Sequence, residues 1–189
     1  MLSLILLIVS FLFGSIPSAY LCTRLFSGKD ISRLGSGNVG AVNTLRQVGI
    51  LPGLLTLILD VGKGALAVFW AVHFKEVTVF PLLALLLAII GHNYSPFLKF
   101  KGGKGIATFV GGLLYLSPYT LVIFLLIFIL LAWRLRDANT ATGLGFLFLP
   151  FILGLQKGEW SWFFAGAAIA LVIIVKHFPD FEAYSRRCS

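Results

Sequence analysis

Residues Leu51 to Phe74 read LPGLLTLILDVGKGALAVFWAVHF, and Asp60 and Lys63 are the charged positions in that run. A helix needs about 20 apolar residues to cross about 30 Å of hydrocarbon. The stretch is therefore long enough to span a bilayer, and it carries two charges within it. The same texture continues in both directions along the chain. Of 189 residues, 59% are hydrophobic and 12% are charged, whereas roughly a quarter of a soluble domain is charged, so a soluble globular protein is excluded. Polar punctuation separates apolar runs near Leu2 to Leu25, Leu51 to Phe74, Val77 to His92, Ile106 to Leu116, Ser117 to Trp133, Thr142 to Leu155 and Trp160 to Lys176. This pattern predicts an all-α integral membrane protein of about seven transmembrane helices, two of them short, with residues 1–189 forming a single membrane-embedded domain. At 1.5 Å per residue, Ile106 to Leu116 covers only about 16 Å. It is either a half-helix or a helix that begins inside the Gly-rich segment before it, and half-helices in membranes border sites.

Basic residues set the orientation. One side of a seven-span chain collects Arg24, Lys29, Arg33, Arg46, Lys99, Lys101, Lys104, Arg134, Arg136, Lys176, Arg186 and Arg187, while the other collects Lys75 and Lys157. That asymmetry places the first group in the cytoplasm, the N-terminus outside and the C-terminus inside. The net charge of +8 then reflects membrane topology, and no nucleic-acid partner is implied. Met1 to Phe13 has no basic residue before it and no A-x-A site after it, so it reads as a retained span and not as a signal peptide. Cys22 and Cys188 have no metal-ligand spacing and the seven carboxylates are scattered. Neither a metal nor a cofactor is expected.

Two polar loops fall on the basic side. The first reads Gly35-Ser36-Gly37-Asn38-Val39-Gly40-Ala41-Val42-Asn43-Thr44-Leu45-Arg46. Its G-x-G-x-x-G spacing, with Asp60 twenty residues on, matches a dinucleotide fingerprint only in form, because an apolar span and not a strand precedes it. Glycines let backbone N–H groups approach an anion closely, and Ser36, Asn38, Asn43 and Arg46 add donors. The second loop runs from His92 through Pro96 to Lys99-Phe100-Lys101-Gly102-Gly103-Lys104-Gly105-Ile106. A Gly-Gly-Lys-Gly turn opening a helix brings N–H groups, the positive helix end and an ammonium to one point, as phosphate binding requires. It is no Walker A loop, since Gly105 follows Lys104 where Ser or Thr would hold magnesium. Asp60 and Lys63, three apart, share a helix face, and either pair with each other or reach a common cavity. His92 is placed to donate to the second loop's backbone, and His177, after the last apolar run, suits proton transfer or phosphate binding. His73 falls on the opposite face.

The first loop, together with Gly91-His92-x-x-x-Pro96 and Phe100-Lys101-Gly102-Gly103-Lys104-Gly105-x-Ala107-Thr108, resembles the bacterial acyl-phosphate:glycerol-3-phosphate acyltransferases. Leu59-Asp60-x-x-Lys63-Gly64, the chain length and His177 extend the resemblance through most of the chain. It implies a seven-span inner-membrane enzyme with its active site on the cytoplasmic side. Such an enzyme moves a fatty acyl group from acyl phosphate to the 1-hydroxyl of glycerol 3-phosphate, giving lysophosphatidic acid, the first step of phospholipid synthesis. Neither acyl-CoA nor acyl carrier protein is used directly, and an upstream acyl-phosphate-forming enzyme is an implied partner alongside the lipid bilayer. On this reading Gly102, Gly103, Lys104 and Gly105 hold acyl phosphate, and Ser36, Asn38, Asn43 and Arg46 bind glycerol 3-phosphate. His177 positions the acceptor or takes its proton, unless a substrate phosphate does so. The chain departs from the family pattern at Arg134-Leu135-Arg136-Asp137-Ala138-Asn139-Thr140, where Arg-Tyr-Val-Ser-x-x-Ser is usual, at Val42, where threonine is usual, and at Phe178-Pro179-Asp180 after His177. Two further readings stand beside it: a paralogue with another acceptor, and a transporter of a phosphorylated metabolite built around Asp60 and Lys63. A phosphatidyl transferase using a CDP-activated lipid would need an acidic metal-binding cluster, which the sequence does not offer.

Overall fold

The apolar runs fold as helices because a backbone in hydrocarbon must satisfy its own hydrogen bonds. The structure, a computed structural model, describes residues 2–73 and 77–188; Lys75 lies outside them. Its helices are α1 (Leu2–Gly14), α2 (Ser18–Ser27), α3 (Ala41–Gln47), α4 (Ile50–His73), α5 (Phe80–Asn93), α6 (Ile106–Leu116), α7 (Pro118–Leu135), α8 (Ala138–Gly145), α9 (Leu149–Lys157) and α10 (Trp160–Cys188). No strand occurs among the described residues. Among the described residues six stretches are long and apolar enough to cross a membrane: Leu2–Ser27, Ile50–His73, Phe80–Leu98, Pro118–Leu135, Ala138–Lys157 and Trp160–Arg187. The seventh, Ile106–Leu116, is the short helix expected from its length.

Several boundaries differ from the sequence reading: the run expected at Thr142 to Leu155 begins at Ala138 and is divided by a 3-10 turn, Phe146–Phe148, into α8 and α9, and the run expected from Val77 begins at Phe80. The first run is not continuous: α1 ends at Gly14 and α2 begins at Ser18, because Pro17 has no N–H to give the helical ladder. Two of the carbonyls freed there find side-chain donors, the Ser95 hydroxyl on Ser15 O at 2.6 Å and the Lys63 ammonium on Ile16 O. The last helix does not stop near Lys176 but runs on to Cys188 with Pro179 inside it. Falling hydropathy marks where an apolar segment ends, and a helix can continue beyond that point as an amphipathic one.

The chain packs as two compact units, Met1–Tyr115 and Leu116–Ser189. In the first, α1 and α4 both lie on α5, and α2 and α3 lie on α4. Helices α4 and α6 touch backbone to backbone: a Cβ on Gly64 would stand 1.8 Å from Thr108 O, and one on Gly111 1.9 Å from Val61 O. Small residues at a crossing are what allow such an approach in a membrane. In the second unit α9 packs on α10 and α7 on α8. There Ser117, the N-cap of α7, is hydrogen-bonded to Gln156 of α9, its Oγ accepting from Nε2 at 3.0 Å. The outer surface is apolar, with Leu4, Ile58, Leu126 and Leu171 all 62–64% exposed, while Asp60 and Lys63 are 1% and 3% exposed. That inversion suits a protein whose solvent is lipid.

Candidate active site

In the first unit the two Gly-rich loops meet. The first loop is organised by Asn43, which α3 holds 5% exposed in its interior. The Asn43 amide donates to Leu34 O at 3.0 Å and Asn38 O at 2.9 Å, and its Oδ1 accepts from the Ser36 N–H at 3.3 Å. Gly35 has a φ of +54°, and a Cβ there would stand 2.5 Å from Asn43 Oδ1, so both the backbone angle and the close approach require glycine. Upstream, Asp30 caps the 3-10 turn Ile31–Arg33, accepting from Ser32 N–H at 3.0 Å and Ser32 Oγ at 2.8 Å. The Ser32 hydroxyl and amide, with Arg33 and Arg24, hold the Asp30 carboxyl below the ordinary carboxylate range against a smaller opposing effect of burial. Ser36 and Arg46 are exposed and Asn38 is half-buried. The Arg46 guanidinium makes no ion pair or hydrogen bond among the described residues. Sequence reading grouped Asn43 with Arg46 as donors to a ligand; the structure gives the Asn43 amide to the loop itself and leaves Arg46 facing outward.

The second loop is sewn to the end of α5. Gly102 N–H donates to Asn93 O and Gly103 N–H to His92 O, both at 3.2 Å. A Cβ on Gly102 would meet His92 O at 1.9 Å, and one on Gly103 would meet His92 Nε2 at 2.3 Å and Val39 O at 2.6 Å. The last contact brings the turn against the first loop, where Val39 and Ile31 are buried with Ala19 of α2, and Leu34 and Leu98 pack against them. Gly105 has a φ of +81°, which swings the chain into α6. The Gly102 and Gly103 amides are engaged, and Lys104 stands beside the first turn of α6, whose N–H groups have no intrahelical carbonyl to reach. The expected role of Gly102 and Gly103 thus becomes shaping the turn, while Lys104 and Gly105 stand at the helix start.

Below the loops, Asp60 and Lys63 pair at 2.7 Å with side chains 2% and 4% exposed, one of the two arrangements their spacing allowed. Asp60 Oδ1 also faces His92 Nδ1 at 3.6 Å. His92 contributes its carbonyl to the second loop, where the sequence suggested a donor. His73 is separate, its Nδ1 hydrogen-bonded to Phe69 O at 2.7 Å.

His177 belongs to the second unit. It lies inside α10, wholly buried, with Nδ1 hydrogen-bonded to Ile173 O at 2.9 Å, and its Cβ is 3.2 Å from where a Cβ on Gly143 of α8 would stand. Asp137 is the N-cap of α8: its Oδ1 accepts from the Thr140 N–H at 2.8 Å and its Oδ2 from Arg187 Nη2 at 2.7 Å. Burial pushes the Asp137 carboxyl up, but the Thr140 and Arg187 hydrogen bonds outweigh it and hold the group below the usual carboxylate range. This departure from the family pattern therefore carries a charge balanced within its own unit.

The family model described as glycerol-3-phosphate acyltransferase matches residues 4–186. A glycerol-3-phosphate acyltransferase 2 of Dehalococcoides mccartyi is 38% identical over 176 residues, 93% of this chain and 84% of that one. Another, of Moorella thermoacetica, is 42% identical over 159 residues, 84% and 81% of the two chains. Among solved structures, PlsY (YgiH), an integral membrane glycerol 3-phosphate acyltransferase, superposes in its glycerol 3-phosphate form with a TM-score of 0.86 at 29% identity, covering 96% of this chain and 91% of that one. The lysophosphatidic acid form of PlsY superposes with a TM-score of 0.82. An all-helical membrane fold, two glycine-rich loops meeting where Val39 O lies against Gly103, and a family model matched nearly from end to end lead to one conclusion: the chain belongs to the glycerol-3-phosphate acyltransferase family.

Proposed function

We propose that this acyltransferase takes a fatty acyl group from acyl phosphate and passes it to the 1-hydroxyl of glycerol 3-phosphate, making lysophosphatidic acid at the cytoplasmic face of a bacterial inner membrane. The observation that supports the reading is the meeting of the two loops in one unit, Gly103 against Val39 O and Leu98 against Ile31 and Val39, the first loop carrying Ser36, Asn38 and Arg46 and the second carrying Lys104 ahead of α6. Both substrates are phosphates, so two anion sites side by side are what the reaction needs. The acceptor and product names come from the related PlsY structures in glycerol 3-phosphate and lysophosphatidic acid forms.

In the transfer the acceptor oxygen attacks the acyl carbon, the bond from that carbon to the phosphate oxygen breaks, and inorganic phosphate departs with the proton of the hydroxyl. Phosphate is already a good leaving group, so no covalent acyl-enzyme is required, and the chain's task is to hold two anions in attack geometry. A phosphate with a second pKa near 6 to 7 can take the proton itself. This assignment is favoured over His177, whose ring is wholly buried with one nitrogen on its own helix. Transport of a phosphorylated metabolite has less support, because Asp60 and Lys63 close on each other instead of lining a route through the bilayer. A divergent acceptor is likewise less supported, since the Asp137 charge is met by Arg187.

The test is transfer by the purified protein in lipid from palmitoyl phosphate to labelled glycerol 3-phosphate, with palmitoyl-CoA as a parallel donor. Lysophosphatidic acid is expected from the acyl phosphate alone, and its loss is expected in Lys104→Ala. Product from palmitoyl-CoA alone would overturn the donor, and no product from either donor would turn attention to another acceptor.

A further inference from the structure

Beneath the Gly102–Gly105 turn lies a buried polar chain that the transfer described above does not use. Asp60 and Lys63 form its base on α4, and Lys63 also reaches Ile16 O at the break between α1 and α2. A buried ion pair contributes little net stability compared with a well-packed apolar substitute, so packing alone gives no reason for it. Asp60 Oδ1 faces Nδ1 of His92 at 3.6 Å, and the imidazole is 9% exposed. At that distance the carboxylate and the imidazole are in polar contact, which favours the ring orientation that turns Nδ1 toward Asp60. His92 then meets the turn twice, through its carbonyl on the Gly103 N–H at 3.2 Å and through Nε2 against the Gly103 Cα. The cavity lined by Ser18, His92, Ser95, Gly102 and Gly103 has a volume of about 10 Å³, room for about one water and for no substrate phosphate. On this side His92 meets the turn and no bound anion.

We propose that His92 is a positioning residue for the phosphate turn. Asp60 fixes the imidazole, and the imidazole and its carbonyl fix Gly102 and Gly103 so that Lys104 and the first turn of α6 converge on one anion. The proposal rests on the reading that this turn holds a substrate phosphate, and inorganic phosphate, the released product, is the probe that separates the two.

The experiment measures inhibition by inorganic phosphate, together with KM and kcat, in the full-length protein carrying His92→Phe, His92→Asn or Lys104→Ala. Phenylalanine keeps a ring and removes both nitrogens, whereas asparagine keeps an N–H donor where Nδ1 stood. His92→Phe is expected to raise the phosphate inhibition constant and KM on the order of tenfold, with kcat within about threefold of wild type, and His92→Asn to restore most of the loss. Wild-type phosphate inhibition in His92→Phe, a loss confined to kcat, or equal impairment in the two variants would overturn the proposal. If His92→Phe does not fold, His92→Gln takes its place, since its amide sits where Nε2 stood and leaves the Nδ1 position without a donor. Gln worse than Asn is expected, and equality overturns the proposal. Unchanged phosphate inhibition in Lys104→Ala would refute the turn as a phosphate site altogether. Weakened inhibition there with a normal His92→Phe would overturn the role of His92 alone.

Discussion

Asn43 and Arg46 stand one helical turn apart on α3 and do different work. Asn43 hydrogen-bonds two carbonyls and one amide of the loop that precedes it, so Asn43→Ala would remove three hydrogen bonds and leave the Ser36 N–H without its acceptor, while Leu34 O and Asn38 O keep the Gly37 and Gly40 N–H groups. At about 1 kcal/mol per net hydrogen bond, and more where the orphaned group is buried, the cost is on the order of 2–4 kcal/mol. Arg46 is exposed, and its removal should cost less than about 0.5 kcal/mol of stability, while losing a charge-assisted contact to a phosphate should cost activity about 10- to 100-fold. Thermal unfolding and acyl transfer measured on both variants check this division. A destabilised but active Arg46→Ala, or a stable Asn43→Ala, would reverse it. The sequence shows that Asn43 has donors and an acceptor among glycines, which marks it as a residue of the loop. It does not show where those groups point, because loop curvature settles that, and the curvature comes from φ angles such as the +54° of Gly35.

At the scale of single elements, α8 begins where the chain departs most from its family's pattern. Asp137 caps the helix and binds Arg187 near the end of α10. Its folded pKa lies below the ordinary value, so the stabilisation it supplies is fully present above about pH 4 and is lost as pH falls through the folded value. The unfolding temperature of the wild type should therefore drop as pH is lowered below about 4. Asp137→Ala should start lower by about 1 kcal/mol at pH 7, the usual value of such a cap, and then show a shallower acid dependence. Parallel curves for the two proteins would remove Asp137 as the origin of the effect. Seven of the helical segments were legible because a run of apolar residues fixes a helix by the cost of unpaired backbone in lipid; Ile106–Leu116 even keeps its ends. The break at Pro17 and the continuation of α10 past Lys176 were not read from hydropathy. Pro17 sits in a run apolar enough to hide it. The extension of α10 rests on local pairs such as Arg186 with Glu182 at 3.7 Å and on the distant Asp137, which pattern alone does not bring together.

For the whole molecule the informative quantity is the distribution of charge along the chain. Twelve basic residues fall in segments assigned to one side and two to the other, with Lys63 inside a span. Lys63 is paired with Asp60, so it does not weigh on the orientation, and the loops bearing Arg46 and Lys104 both belong to the rich group. On the proposed function the bias predicts that these loops face the cytoplasm, where a charged, water-soluble acceptor and an acyl phosphate made inside the cell would both arrive. Single cysteines at Lys101 and at Gly158, on a background of Cys22→Ala and Cys188→Ser, test it with a membrane-impermeant maleimide on intact cells. Gly158 lies at the turn between α9 and α10 with open space around its Cα, so a label there has room, although its φ of +67° costs a cysteine about 1 kcal/mol. Lys101→Cys is expected to stay unlabelled until the membrane is opened, and Gly158→Cys to react at once. The opposite pattern would turn the protein over and remove the cytoplasmic placement of the site. Labelling of both from outside would mean that the basic bias reflects attraction of the loops to anionic headgroups and does not set topology.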